Sequence, residues 1–215
     1  ITINRPEVRN ALNPETNQEI SARLDDAMKD DSVYVVVITG AGDRAFSSGA
    51  DINIMKDITA AKAREFSKTG QEIFDKVETF DKPVIAAING FALAGGLELA
   101  MACDLRIASE NARLALTEIN VGLTPGWGGT QRLPRYVGKA VAKELIFTGK
   151  MIDAKTAERY GLVNAVVPPD QLKTAVTALA KELMKKPRVN IKLAKELINS
   201  STETNLRTGM AHEAE

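Results

Sequence analysis

Two uninterrupted apolar runs, at residues 33–39 and 84–88, limit this chain more than any other feature of it. A strand with one wet face alternates apolar and polar residues. These runs, rich in β-branched side chains, do not alternate, so each has to be covered on both faces. The intervening sequence supplies the cover. Pro14 to Met28 places Ile20, Leu24, Ala27 and Met28 on one helical face, with Asn13 as N-cap and Pro14 at the first helical position. Residues 60–79 do the same with Phe66, Ile73, Phe74 and Val77. Strands alternating with helices indicate an α/β fold. The pattern continues with an opening strand at 1–4, strands at 104–108, 112–116 and 162–167, and helices at 129–137, 139–147, 153–160, 170–185 and 188–200. It divides the chain into a core, 1–150, and a helical C-terminal region, 151–215, suited to packing and assembly. No repeat of fixed period is visible. Ile1 to Asn4 reads as a strand already under way and the last residues as a helix without a stop signal, so both ends are read as interior to a longer chain.

Composition narrows the chemistry. Lys+Arg and Asp+Glu both number 28 in 215 residues, which gives no support for charge-driven binding to nucleic acid. The single cysteine, Cys103, lies in an apolar run and is expected as a buried, inert thiol. With one histidine, His212, neither a His-based triad nor a Cys/His metal site can be assembled. No apolar run reaches membrane-spanning length and no signal peptide is read at the start, so the expected location is cytoplasmic.

Two glycine loops bracket two carboxylates. Gly95-Gly96 precedes the apolar run Leu97 to Cys103, which carries Glu98, and Pro125-Gly126-Trp127-Gly128-Gly129 follows Glu118. Glycines let backbone approach a ligand closely, and a helix start adds free N–H donors with partial positive charge. Backbone N–H groups can hold a carbonyl oxygen as it gains charge, while carboxylates move protons at the neighbouring carbons. The alternative is that Glu98 and Glu118 are solvated surface charges. Their apolar neighbours argue against that, since burying a carboxylate without a task or a partner is costly. The residues alone leave both readings open.

The chain resembles the crotonase superfamily, most nearly the enoyl-CoA hydratases. The resemblance runs from Asn4-Arg5-Pro6 to the end, through Asn10-Ala11-Leu12, Phe46-Ser47-Ser48-Gly49-Ala50-Asp51, Asn89-Gly90-Phe91-Ala92, Gly95-Gly96-Leu97-Glu98-Leu99-Ala100, Cys103-Asp104, Glu118-Ile119, Pro125-Gly126-Trp127-Gly128-Gly129-Thr130-Gln131-Arg132-Leu133 and Ala157-Glu158-Arg159-Tyr160-Gly161-Leu162-Val163. It implies a crotonase-like spiral of ββα units with a helical C-terminal region, and reversible hydration of a trans-2-enoyl-CoA. By that resemblance the oxyanion hole is the backbone N–H of Ala50 and Gly95. Glu98 activates a water for attack on the β-carbon, Glu118 delivers a proton to the α-carbon, and Gly126 helps position the water. Val8, Arg9, Ala11, Ser48, Gly49, Ala50, Asp51 and Ile52 match the part that wraps coenzyme A. Where many hydratases carry a lysine this chain has Asn53, with Arg9 and Lys56 as substitutes for phosphate contact. The resemblance implies an acyl-CoA partner, no metal and no cofactor beyond the coenzyme A of the substrate, and a homo-oligomer, a trimer or dimer of trimers. Two rivals stand beside hydration: double-bond isomerisation, which needs one proton-shuttling carboxylate, and non-catalytic RNA binding, which a basic stripe would support.

Other residues read as structural. Asp51 is expected to form a turn or cap, Asp104 to pair with backbone or Arg106, and Lys185-Lys186 to be a solvated face. Trp127, the one tryptophan, either closes the far end of an acyl pocket, which would favour short acyl chains, or packs against a neighbouring helix or a subunit contact.

Overall fold

The computed structural model describes residues 1–52 and 59–214. Its order is β1 (Thr2–Ile3), α1 (Pro14–Lys29), β2 (Val36–Gly40), β3 (Ala45–Ser47), α2 (Ala60–Glu78), β4 (Val84–Ile88), β5 (Phe91–Leu93), α3 (Gly95–Ala102), β6 (Leu105–Ser109) and β7 (Arg113–Ala115). Then come α4 (Gly129–Thr148), β8 (Ile152–Asp153), α5 (Ala154–Arg159), β9 (Ala165–Val167), α6 (Leu172–Met184), α7 (Arg188–Ser200) and α8 (Leu206–His212). Among the described residues the strands make two sheets, a five-stranded one ordered β1-β2-β4-β6-β9 and a four-stranded one ordered β3-β5-β7-β8. The first is parallel throughout, and in the second only the β7–β8 pair is antiparallel. Three successive turns, β2-β3-α2, β4-β5-α3 and β6-β7-α4, each give one strand to each sheet and then a helix. The chain is therefore a ββα spiral.

β4 shows why its sequence does not alternate. Val84, Ala86 and Ile88 face the main core with Phe74, Val77, Leu99 and Met101. Ile85 and Ala87 face the other way, against Leu172 and Val176 of α6. Each face is covered by helices, so each position is apolar. α1 starts as its cap predicts, with the Asn13 side chain accepting from Thr16 N at 2.9 Å. The strand expected from residue 33 starts at Val36. Its first ladder bond runs from Val36 N to Pro83 O, and Pro83 has no N–H to extend the pairing further. The two helices expected at 129–137 and 139–147 are the two halves of α4, broken at Gly138 (φ 76°). The strand expected at 162–167 is shorter, because Leu162 and Val163 turn into the main core ahead of β9.

Corners between the sheets are held by side chains. Asn89 Nδ2 donates to the carbonyls of Gly40 and Gly42, at 3.0 and 2.9 Å. Fully buried Asn10 donates to the carbonyls of Ala41 and Ala45 and accepts from Arg5 N. These bonds fix where β2 turns into β3, and so where the loop after β3 begins. Asp104 differs from its sequence reading in one partner: its Oδ2 accepts from backbone Val84 N, as expected, and from Lys195 Nζ of α7. Arg106 instead donates to the carbonyls of Ala100, Cys103 and Leu162 and lies 4.3 Å from the Tyr136 ring centroid. Lys185 and Lys186 are exposed, paired with Glu182. Cys103 is buried, and burial pushes its thiol up to about 12. No helix among the described residues is long and apolar enough to cross a membrane.

Candidate active site

The site lies where loops from the three spiral turns meet. The first loop follows β3. Leu12 N donates to Gly49 O and Asp51 N donates to Leu12 O, so the groups on either side of Ala50 pair with the segment after Asn10. In extended backbone successive N–H groups point to opposite sides, and the Ala50 N–H therefore points away from Leu12. On that other side is the start of α3: a side-chain carbon placed on Gly95 would come within 3.5 Å of Ala50 N.

α3 has all eight of its residues buried. Its first intrahelical bonds run from Leu97 N and Glu98 N to Ala94 O, leaving the Gly95 and Gly96 amides ahead of them at the positive end of the helix. Gly96 is required by contact, since a Cβ there would lie 2.3 Å from Ser47 O. Ala94 holds φ 48° and ψ −124°, a conformation that costs a residue with a side chain on the order of 1–3 kcal/mol. That strained residue turns β5 into α3, whose first two residues lie against β3 and the loop after it.

Glu98 sits one turn into α3 and is 2% exposed. Its Oε1 accepts from Trp127 N at 2.8 Å and Gly129 N at 2.7 Å, both in the second glycine loop. Burial pushes the Glu98 carboxyl above its ordinary value, opposed by those two amides and by the charge of Arg132. Glu118 opens a 3-10 turn, Glu118–Val121, with two residues between it and the end of β7. Its Oε2 is buried and, among the described residues, has no hydrogen-bond partner. Burial, and then the charge of Glu98, raise the Glu118 carboxyl to about 7. The structure thus brings both glutamates together with Gly95, Gly126 and Trp127.

Gly126 is tied to α2 through its carbonyl, which accepts from Ser67 Oγ at 2.9 Å and Gln71 Nε2 at 2.8 Å. The Trp127 indole, 3% exposed, packs between α2 and α3. It lies edge-on to Phe74 and tilted against Phe66, and donates from Nε1 to Phe66 O. Val8, Arg9 and Ala11 run beside the β3 loop: Ser48 donates from N to Arg9 O and from Oγ to Val8 O. Val8, Arg9 and Ile52 are exposed there, whereas Ala11 and Gly49 are buried. Asp51 pairs with Arg5 at 3.3 Å, and Arg5 also donates to Ala11 O, so this ion pair ties the two segments together. Asn53 and Lys56 lie outside the described residues. Sequence reasoning missed Arg5, Ser67, Gln71 and Arg132, all of which hold the site through partners far away in the chain. The one available signal was Arg132, a charge beside Leu133 on the inward face of α4.

A raised carboxyl has a consequence for stability. Folded Glu118 binds its proton up to about pH 7, against an ordinary value of 4.5, so its favourable contribution is complete below about pH 4.5 and is lost as pH rises through 7. Glu118→Gln removes this dependence. The Tm of the variant relative to wild type is expected to rise between pH 5 and pH 8, by up to roughly 3 kcal/mol or about 6–12 °C. Calorimetry at both pH values checks it, and a constant difference would place Glu118 in water.

The whole chain, residues 1–215, matches the family described as Enoyl-CoA hydratase/isomerase. The short-chain-enoyl-CoA hydratase of Clostridium acetobutylicum is 46% identical over 215 residues, covering 100% of this chain and 82% of that protein. The crotonyl-CoA hydratase of Syntrophomonas wolfei is 46% identical over 213 residues, covering 99% and 82%. Among solved structures, the enoyl-CoA hydratase of Bacillus anthracis superposes with a TM-score of 0.95 at 40% identity, covering 99% of this chain and 83% of that one.

Proposed function

The chain belongs to the enoyl-CoA hydratase/isomerase family, and from that premise we infer that it is a hydro-lyase that reversibly hydrates trans-2-enoyl-CoA to 3-hydroxyacyl-CoA, acting on short acyl chains. The observation that carries the reading is the unequal pair of carboxylates. Glu98 has one oxygen held by two amides, which leaves the other for water. Glu118 has a buried oxygen without a partner among the described residues and a carboxyl raised to about 7, so near neutrality it retains a proton to give.

In this reading the thioester oxygen accepts from the Ala50 and Gly95 N–H groups, which stabilise the negative charge it gains. Glu98 takes a proton from water as the water oxygen bonds to the β-carbon. The electron pair of the double bond moves toward the α-carbon and the thioester oxygen, and Glu118 protonates the α-carbon. One water has then been added, and exchange of a proton from Glu98 to Glu118 restores the pair. Gly126 is assigned to help position the water. Val8, Arg9, Ala11 and the segment 48–52 are assigned to coenzyme A, which enters as part of the substrate; no metal or further cofactor is invoked. The resemblance supports a trimer or dimer of trimers. We assign the protein to the cytoplasm, where a buried free thiol such as Cys103 stays reduced. Loss of enoyl absorbance on adding crotonyl-CoA tests the activity, and no turnover of any enoyl-CoA would refute it.

Trp127 is assigned a part in substrate length, because its indole backs directly onto Gly95. Its packing is equally plain, so Trp127→Ala is expected to cost about 3–5 kcal/mol of stability. In folded protein it is also expected to raise activity on hexenoyl- or octenoyl-CoA relative to crotonyl-CoA by about tenfold. An unchanged chain-length profile would assign Trp127 to packing alone.

A further inference from the structure

Arg132 is a charged residue acting on Glu98 that the hydration steps leave unused. It lies in the first turns of α4, and its side chain is 8% exposed. Nη1 donates to Trp127 O at 3.0 Å. Nη2 donates to Asp75 at 2.6 Å, and Nε and Nη2 donate to Glu78 at 2.9 and 2.6 Å, both carboxylates belonging to α2. One guanidinium therefore joins α2, α4 and the second glycine loop. The residue whose carbonyl it holds is the residue whose N–H, 2.8 Å from Glu98 Oε1, orients that carboxylate. Two residues on, Gly129 N donates to the same oxygen.

We propose that Arg132 is a positioning residue for the hydration reaction: by clasping the Trp127 carbonyl to Asp75 and Glu78 it sets the glycine loop so that two amides fix one oxygen of Glu98 and leave the other aimed at water. This rests on the reading of Glu98 as the group that activates water. Geometry and charge act together. A planar guanidinium can hold a carbonyl and two carboxylates at once in fixed directions, which an ammonium cannot. Its positive charge also favours ionised Glu98. Among the described residues the charged groups facing Glu98 are Arg132 from α4 and Glu118 from the 3-10 turn, with Asp75 and Glu78 of α2 behind Arg132. Asp75 and Glu78 are 65% and 35% exposed, so losing Arg132 leaves them to water rather than stranding two buried charges.

The test uses Arg132→Met, Arg132→Lys and Glu78→Gln, with kcat and KM for crotonyl-CoA hydration across pH and Tm for each. Arg132→Met is expected to lower kcat by about 10–100-fold with KM within about threefold, since misplacement of a reacting group acts on the chemical step. The acid limb of its kcat profile is expected to move up by about half to one pH unit, because Glu98 loses a favourable charge. Arg132→Lys is expected to restore the acid limb but only part of kcat. Glu78→Gln leaves Arg132 bonded to Asp75 and Trp127 and guards against a failure of the first variant to fold; its kcat is expected to fall about 3–10-fold. Variants that lose Tm yet keep wild-type kcat and an unmoved acid limb would overturn the proposal and make Arg132 a structural clasp. Glu98→Gln separates the two levels. If that variant is active, the reading of Glu98 fails; if it is inactive while the Arg132 and Glu78 variants turn over normally, only the role of Arg132 fails.

Discussion

Glu98→Gln and Glu118→Gln are each expected to lower kcat for crotonyl-CoA hydration by at least about 100-fold while leaving the fold intact. The reason differs between them. At Glu98 the amide oxygen can still accept from Trp127 N and Gly129 N, so the loop keeps its anchor. The amide nitrogen then stands where the proposed water-activating oxygen stood, and it has no lone pair to take a proton. At Glu118 the change removes the proposed donor to the α-carbon and also a like charge beside Glu98, so this variant is expected to be at least as stable as wild type near pH 8. Steady-state rates with Tm measured alongside decide the matter. Near wild-type turnover in either variant refutes that residue's role. If Glu118→Gln alone is inactive, double-bond isomerisation, which needs one shuttling carboxylate, becomes the better account.

Gly95→Val is expected to lose both turnover and stability. Turnover is expected to fall because, in the proposed reading, the glycine faces the place where a thioester oxygen approaches backbone. The structure adds a second reason for glycine there. A Cβ on Gly95 would lie 2.4 Å from Trp127 Cζ3. The indole cannot move aside, since Phe66, Phe74 and Gly70 surround it. Overpacking of this kind costs typically 1–3 kcal/mol and sometimes more. For a branched side chain we expect about 3 kcal/mol, or roughly 6–12 °C in Tm, with kcat for crotonyl-CoA down by at least about 100-fold, the scale of one lost oxyanion donor. Calorimetry and initial rates on the same preparation check both halves. A stable, active variant would show that neither the indole nor the substrate comes close to Gly95.

The first sheet was legible in the sequence and the second largely was not. The runs around Val36–Gly40 and Val84–Ile88 announce themselves because β-branched and apolar residues follow one another without polar alternation, over a length that no turn explains. β3 and β5 are three residues long and sit among glycines and other small residues, so they read as loops and turns, while β8 is two residues long and its Asp153 reads as the start of the helix expected at 153–160. The spiral repeat escaped for the same reason: its units share hydrogen-bond geometry rather than residues. At the site, Glu98 and Glu118 stood out as charges in apolar surroundings. Arg132, Ser67 and Gln71 did not, because what distinguishes them is a partner more than fifty positions away, and a single sequence carries no mark of that.

The parallel pairing of β3 with β5 also sets a measuring scale for the chemistry. Ala45 pairs with Phe91, and the register shifts before Ser47 meets Ala92. Ala50 and Gly95 each stand three residues past that last pair. A slip of one residue would carry the Ala50 N–H about 3.3 Å along the strand and turn it to the opposite side. In the proposed reading, where the Ala50 and Gly95 amides share one thioester oxygen, no intermediate alignment would serve. Activity in this chain should therefore behave as a digital signal of strand registration. During refolding, far-UV circular dichroism can recover gradually as helices form, but enoyl-CoA turnover should return only in step with the final docking of the β3 edge.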